Sequence, residues 1–343
     1  MRQTVAFAKD TANVFFHLLT QCNLSCSHCY INPEQHGRQR LSRETVERQL
    51  EVLVQRAPTA NLVLLGGEPT LHPDLAAIVK SARRLGYASI TIDTNGYLFN
   101  DILDKVTPDD VDYFSFSLDG PDAAANDAIR GDGAYAACTR GIRRAVRRGF
   151  AVSLIYTVSR RNLDGLRAMP PLLQKWGVDH FFIQVIGLRG NSAACGPQDQ
   201  GLQVTRRQWL ETVPSVADAV AANGIRVTFP KVFLTSDEPF ECAGRVADNY
   251  FVFPNGRVYR CPLCEDYPLH SLAFEGDRLA VRPPIHEAQL FQLDIAEGCV
   301  MNKLVQPGNI AYREDGSPAY KIACCLLKEQ IDGTAGQCNA APG

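Results

Sequence analysis

An α/β fold is expected from three features of this sequence. Six short, apolar, β-rich runs alternate with amphipathic segments, glycine stands just past three of those segments, and the alternation stops near residue 230, where Pro, Gly and Cys take over. Successive βα units make a parallel sheet, and six of them fall short of the eight that close a barrel. The expectation is therefore a partial (β/α)6 TIM-like barrel with a Cys-rich C-terminal extension, its functional loops leaving the C-terminal ends of the strands.

The strands are expected at 14–19, 62–65, 89–93, 113–118, 152–157 and 181–186, each rich in Val, Ile, Leu or aromatic residues. Helical periodicity follows each one, at 42–55, 74–85, 101–106, 135–148, 162–176 and 205–222. Gly86, Gly149 and Gly177 are placed to end three of these helices in a left-handed cap. Segment 187–197, rich in Gly, Ser, Asn and Ala, is expected to be a long loop after the sixth strand. Beyond it, Asn255-Gly256 inside an apolar stretch marks a hairpin. The chain thus divides into an N-terminal segment (1–12), a barrel with its following helix (13–229) and an extension (230–343) that lacks periodic apolar faces and is expected to be stapled by metal clusters.

The composition of the 343 residues is that of an ordinary globular chain, with 45% apolar and 21% charged residues. Disordered, collagenous and coiled-coil classes are excluded on that ground. Lys plus Arg (35) nearly balances Asp plus Glu (37), so no global field favours nucleic acid or an anionic membrane, and a nucleic-acid partner is unsupported. No apolar run reaches the roughly 18 residues of a membrane span and the N-terminus carries no signal-peptide pattern, which points to a cytoplasmic protein. In that compartment twelve cysteines are better read as metal ligands than as disulfides. Three lie at Cys22, Cys26 and Cys29, seven lie between Cys242 and Cys338, and only Cys138 and Cys195 fall between the groups.

The first group forms Cys22-Asn23-Leu24-Ser25-Cys26-Ser27-His28-Cys29-Tyr30, directly after the first strand. Three thiolates from one short loop can ligate three irons of a cubane and leave the fourth iron open to a small molecule. A zinc site with His28 as fourth ligand, or buried free thiols, are the alternatives. Gly66-Gly67-Glu68-Pro69 follows the second strand, Thr94-Asn95-Gly96 the third and Ser117-Leu118-Asp119-Gly120-Pro121 the fourth. Gly66 and Gly67 can bring backbone close to a ligand, Glu68 is a carboxylate suited to an ammonium, and Pro69 stiffens the turn.

In this order of motifs the chain resembles the radical S-adenosylmethionine (SAM) superfamily over roughly residues 13–190. The resemblance implies a 4Fe-4S cluster whose open iron is chelated by SAM, and one-electron cleavage of SAM to methionine and a 5'-deoxyadenosyl radical that abstracts a substrate hydrogen. It implies that the Gly66–Pro69 loop meets the methionine amino group, that Ser117 and Arg130 contact the ribose and carboxylate, and that Tyr30 lies along the adenine. Asn95 either contacts SAM or shapes its turn, and Gln184 and Gly187 belong to the adenine and substrate side. An electron donor of the flavodoxin or ferredoxin-like kind is the implied partner.

The second group opens with Cys242, Gly256 and Cys261, a spacing that resembles the SPASM and twitch extensions with their auxiliary 4Fe-4S clusters. Downstream the chain departs from the tight four-cysteine run of a full SPASM domain and offers Cys264, Cys299, Cys324, Cys325 and Cys338. Seven thiols cannot fully ligate two cubanes, so one or two auxiliary clusters are expected, and the adjacent Cys324 and Cys325 are not expected to serve the same one. Cys195, in the loop past the sixth strand, is a candidate hydrogen-atom donor or an incidental loop cysteine. The expected function is a radical SAM oxidoreductase acting on a peptide, protein or small-molecule intermediate. The rival readings are a non-catalytic iron-sulfur carrier or sensor and a zinc-binding module.

Overall fold

The computed structural model describes residues 4–5, 9–194 and 202–334. The expected ligand Cys338 and the candidate donor Cys195 lie outside the described residues. All six expected strands are present: β1 (Ala12–His17), β2 (Asn61–Leu65), β3 (Ser89–Thr94), β4 (Tyr113–Ser117), β5 (Val152–Val158) and β6 (His180–Val185). Their side chains alternate strictly. Phe16, Leu64, Ile92, Phe116, Leu154 and Ile183 face outward into the main apolar core, while Phe15, Val63, Asp93, Ser117, Thr157 and Gln184 line an interior cavity.

The helices cover the outer face. Arg43–Arg56 buries Val46, Leu50 and Leu53, and its N-terminus is capped by Ser42, whose side chain accepts from the Thr45 amide. Leu75–Leu85 buries Ile78, Val79 and Ala82 and ends at Gly86, at φ 87°. Gly149 and Gly177 also take positive φ, 78° and 72°, as expected. A fully buried leucine such as Leu50 contributes about 2 kcal/mol by transfer from water, and truncation to Ala costs about 2–5 kcal/mol. The helix expected at 162–176 is broken into Leu163–Leu166 and Met169–Trp176, because Pro170 and Pro171 have no N–H to donate and are tolerated only in a first turn. A helix at Ala123–Arg130 has no counterpart in the sequence reading.

The sheet is larger than expected. β7 (Arg226–Pro230) adds parallel to β6, and after the short β8 (Phe233–Leu234) the chain returns as β9 (Asp248–Val252), which pairs parallel with β1 in the register Val14↔Tyr250. Eight adjacent strands, β9 followed by β1 to β7, are therefore parallel, where the sequence reading counts six. β10 (Arg257–Tyr259), β11 (Leu272–Glu275) and β12 (Arg278–Val281) extend one edge antiparallel, the β9–β10 turn falling at Asn255-Gly256 as expected. Of the last strands, β13 (Lys321–Ile322) pairs with β8, and β14 (Lys328–Ile331) lies antiparallel to β7 at the other edge of the twelve-stranded sheet. The sheet thus runs across the sequence boundary at 229/230. β7 escapes the sequence reading because it is five residues long, ends in proline and stands where the alternation fades.

The extension has an apolar core of its own. Phe251, Phe253, Tyr259, Leu263, Met301 and Leu326 form a second apolar cluster with Cys264, Cys299 and Cys324. Its members come from short strands and turns scattered over some eighty residues, so no periodicity announces them.

Candidate active site

The strand interiors and the loops after β1, β2, β3 and β4 enclose a cavity of about 570 Å³, within the range of small-molecule sites. Cys22, Cys26 and Cys29 line it together with Tyr30, Gly66, Gly67, Asn95, Ser117, Arg130, Gln184 and Gly187. Glu68 and Pro69 do not line it.

The cysteine loop is held by backbone and side-chain contacts with the segments that follow other strands. The Gly67 amide donates to the Leu19 carbonyl at 2.9 Å, the Glu68 amide to Gln21 at 3.0 Å and the Ser27 amide to Ile129 at 2.9 Å. Asn191, in the turn after β6, donates from its amide to the Cys29 carbonyl (2.9 Å) and from Nδ2 to Cys26 (3.0 Å). Gly66 and Gly67 are glycines because of this packing. A Cβ on either would stand 2.2 Å from a carbonyl oxygen, that of Leu19 or of Gln21. The close approach that requires glycine here is to the cysteine loop, and both residues also line the cavity.

Glu68 is fully buried, and its carboxylate accepts from the Thr70 amide (3.0 Å), Thr70 Oγ1 (2.6 Å), Thr94 Oγ1 (2.9 Å) and the Asn95 amide (2.8 Å). Burial pushes its pKa up and these four donors oppose that. It ties the loop after β2 to the loop after β3. Asn95 continues the chain of contacts, donating from Nδ2 to Asn23 Oδ1 at 2.8 Å inside the cysteine loop.

Arg130 lies against Asp119, Nε to Oδ2 at 2.6 Å, and His28 Nε2 approaches the same oxygen at 2.9 Å. Burial alone raises the Asp119 pKa, but the Arg130 and His28 charges outweigh it and hold the carboxyl at about 2. Asp119 stands in the quoted motif after β4 and was legible there as a motif member, though not as the partner of Arg130. Ser117 and, two residues earlier, Ser115 face the cavity from β4. Tyr30 donates or accepts at His17 Nε2 (2.8 Å), and the Arg189 guanidinium lies 5.2 Å from its ring centroid. Arg189 in turn reaches Glu265 Oε2 at 3.1 Å, joining the cysteine loop to the extension. Sequence reasoning missed Arg189 and Glu265, which are 76 residues apart and carry no motif. His72, just past the loop after β2, is buried and bonds the Leu41 carbonyl through Nε2 at 2.9 Å.

Cys22, Cys26 and Cys29 are each partly exposed on the cavity wall, and desolvation pushes their thiols up, that of Cys26 to about 11. Such thiols ionise when a cation stands beside them, and three donors on one wall of a roomy cavity fit a cubane with one open iron. Among the described residues no three His, Cys, Asp or Glu side chains are gathered closely enough for a single metal ion. Ligands of a cubane bond different irons and stand further apart than ligands of one ion.

In the extension Cys242, Cys261, Cys299, Cys324 and Cys325 surround a second void, with Cys264 buried in the same cluster. The donor chemistry fits a cluster, since burial pushes the Cys242 thiol to about 12 and Cys299 well above its usual value. The void itself is only about 20 Å³, room for one water, so these thiols would have to move apart to hold a cubane. Cys324 and Cys325 both line the second void, and Cys325 also lines the first cavity.

Residues 17–169 match the sequence model of the radical SAM superfamily. The chain carries a radical SAM domain. A pre-heme d1 synthase of Dinoroseobacter shibae is 34% identical over 197 residues, 57% of this chain and 48% of that protein. The mycofactocin maturase MftC of Mycobacterium ulcerans is 28% identical over 282 residues, 77% of this chain and 70% of that protein. The matches thus span about half of the first relative's length and somewhat more of the second's. Among solved structures, Streptococcus suis SuiB bound to S-adenosylmethionine superposes with a TM-score of 0.65 at 12% identity, covering 86% of this chain and 74% of SuiB. A second, native anSMEcpe with bound AdoMet, gives 0.57 at 14% identity over 76% and 75%. These likenesses establish the partial-barrel fold. Among the described residues no helix is long and apolar enough to cross a membrane.

Proposed function

We propose that this chain is a radical SAM oxidoreductase that binds a 4Fe-4S cluster through Cys22, Cys26 and Cys29 and abstracts a hydrogen atom from a peptide or small-molecule substrate. The observation that carries the reading is the convergence of the three thiols with the loops after β2, β3 and β4 on one cavity. When bound, the cluster and SAM supply one-electron cleavage of the sulfonium and a carbon radical for hydrogen abstraction. Around them the chain's own residues position and enclose. Gly66 and Gly67 let the loop after β2 clamp the cysteine loop, Glu68 and Asn95 fix that clamp, and Ser117 presents a hydroxyl to the cavity. Asp119 holds Arg130 as a fixed cation at the cavity wall, suited to a carboxylate of SAM. Tyr30, pinned by His17, offers its ring beside the cysteine loop.

The extension is proposed to hold at least one auxiliary 4Fe-4S cluster, with Cys242 and Cys261 as ligands and the others drawn from Cys264, Cys299, Cys324, Cys325 and Cys338. Electrons would come from a flavodoxin or ferredoxin-like donor. A peptide substrate is favoured by one similar structure, that of SuiB bound to the precursor peptide SuiA. The test is SAM cleavage by the anaerobically reconstituted, dithionite-reduced protein. Formation of 5'-deoxyadenosine by the wild type and none by Cys26→Ala is the expected result. Intact cluster absorbance without SAM binding or cleavage would instead favour an electron carrier or sensor.

A further inference from the structure

The cavity wall formed by β3, β4 and β5 carries a row of polar side chains below the strand-end motifs. Asp93 pairs in register with Ser115, and Ser115 with Ser153, so the three stand side by side on neighbouring strands, and all three line the cavity. Ser115 lies two residues before Ser117 and Asp93 two before Asn95, which puts the row about 6–7 Å deeper than those loops at the usual rise of a strand. Another wall is apolar. Phe15 of β1 and Phe251 of β9 stack with ring centroids 4.5 Å apart, and Val63 and Leu65 of β2 line the space beside them.

The charge in this part of the cavity is already answered within the chain. The Ser115 hydroxyl donates to the Asp93 carboxylate, and the Lys328 charge from β14 faces it. A carboxylate brought to the lysine would meet Asp93, and an ammonium brought to Asp93 would meet the lysine. Burial raises the Asp93 carboxyl to about 7 in spite of both partners, so a further charge would lose hydration here. Ser153 is different. It is wholly buried, and its hydroxyl has no hydrogen-bond partner among the described residues, an arrangement that costs stability until a partner arrives.

We propose that the Asp93–Ser115–Ser153 row is a subsite for a neutral hydrogen-bonding group of the substrate, a hydroxyl or a carboxamide, whose apolar body lies against Phe15 and Phe251. This rests on the radical SAM reading above and names the substrate class for it. Such a group both donates and accepts, so it supplies Ser153 with a partner and donates to the Ser115 oxygen without adding charge. The group belongs either to a free small molecule or to a peptide side chain.

The test uses the reconstituted protein with SAM bound, and isothermal titration with four ligands of one skeleton: 3-phenylpropan-1-ol, the 3-phenylpropylammonium cation, the 3-phenylpropionate anion and propylbenzene. Wild type should bind the alcohol at least about fivefold more tightly than either ion. Ser153→Ala should weaken the alcohol about fivefold and leave propylbenzene unchanged, the loss expected of one neutral hydrogen bond. Without ligand, that variant should unfold at the wild-type denaturation midpoint or above it, because it removes an unpartnered group. A blocked tripeptide with tyrosine or phenylalanine at its centre separates the two sources. A tyrosine preference that Ser153→Ala removes indicates a peptide side chain, and an alcohol preference without it indicates a free small molecule. An ion bound as tightly as the alcohol, no measurable binding of the alcohol, an undiminished alcohol affinity in Ser153→Ala, or a lowered midpoint of that variant would each overturn the proposal. SAM binding measured on the same samples keeps the two readings apart: its absence defeats the radical SAM reading, its presence without alcohol preference defeats only the subsite.

Discussion

The two cysteine groups are built on opposite principles. Cys22, Cys26 and Cys29 sit within eight residues on a loop held by hydrogen bonds from the ends of four strands, and they face a cavity of about 570 Å³. Among the described residues the extension's thiols come from four separate stretches of chain, are packed among Phe251, Phe253, Tyr259 and Met301, and leave a void of about 20 Å³. An open rim leaves room for a ligand on the metal, whereas an apolar pocket with an excess of thiols closes around it. Under the proposed function, this difference puts the chemistry at the first group and a supporting position at the second.

The sharpest way to break this comparison is reciprocal removal of the thiols. Alanine at Cys22, Cys26 and Cys29 together should abolish SAM cleavage yet leave about four irons per chain, or about eight if two auxiliary clusters form. Cys261→Ala should do the reverse, losing auxiliary iron while SAM still binds. Zinc without iron in the triple variant, or loss of all iron in both, would erase the distinction.

A second test concerns what holds the first group. Asp119→Ala leaves Arg130 buried without its partner and should cost about 3–5 kcal/mol, read as a lower denaturation midpoint. An unchanged midpoint would mean that the ion pair contributes little. Gly67→Ala places a methyl 2.2 Å from the Gln21 carbonyl and should cost about 1–3 kcal/mol, with reduced iron at the first site but not at the second. Equal iron loss at both sites would show that the loops are not independent. The smallest effect is expected at Ser117→Ala, which removes one hydroxyl from the cavity wall. SAM affinity should fall about fivefold, with cluster absorbance unchanged, and a normal affinity would remove Ser117 from the SAM contacts.

Much of the barrel was legible because its strands carry period-two apolar faces and its helices end in glycine, both local signals. The same holds for the cysteine loop and the four strand-end motifs, each a run of fewer than ten residues. The packing of Gly66 and Gly67 and the hydrogen bonds of Glu68 were not legible in the same way. Glycine next to a ligand and glycine next to a carbonyl look identical in sequence, and whether Glu68 faces a cavity or a cage of four donors depends on where the loop after β3 lies.

The strand β7, the parallel pairing of β9 with β1, the second apolar core and the meeting of Asp93 with Lys328 had no local signature. Spacing along the chain is enough to place three thiols on one loop, because a few residues can span only a short distance whatever the rest of the chain does. Whether a lysine 235 positions away from an aspartate shares its cavity depends on the antiparallel addition of β14 to β7 and on the curl of the sheet between them. Those are outcomes of long-range packing, in which many weak contacts act together, and no short stretch of sequence carries enough of them to be read alone.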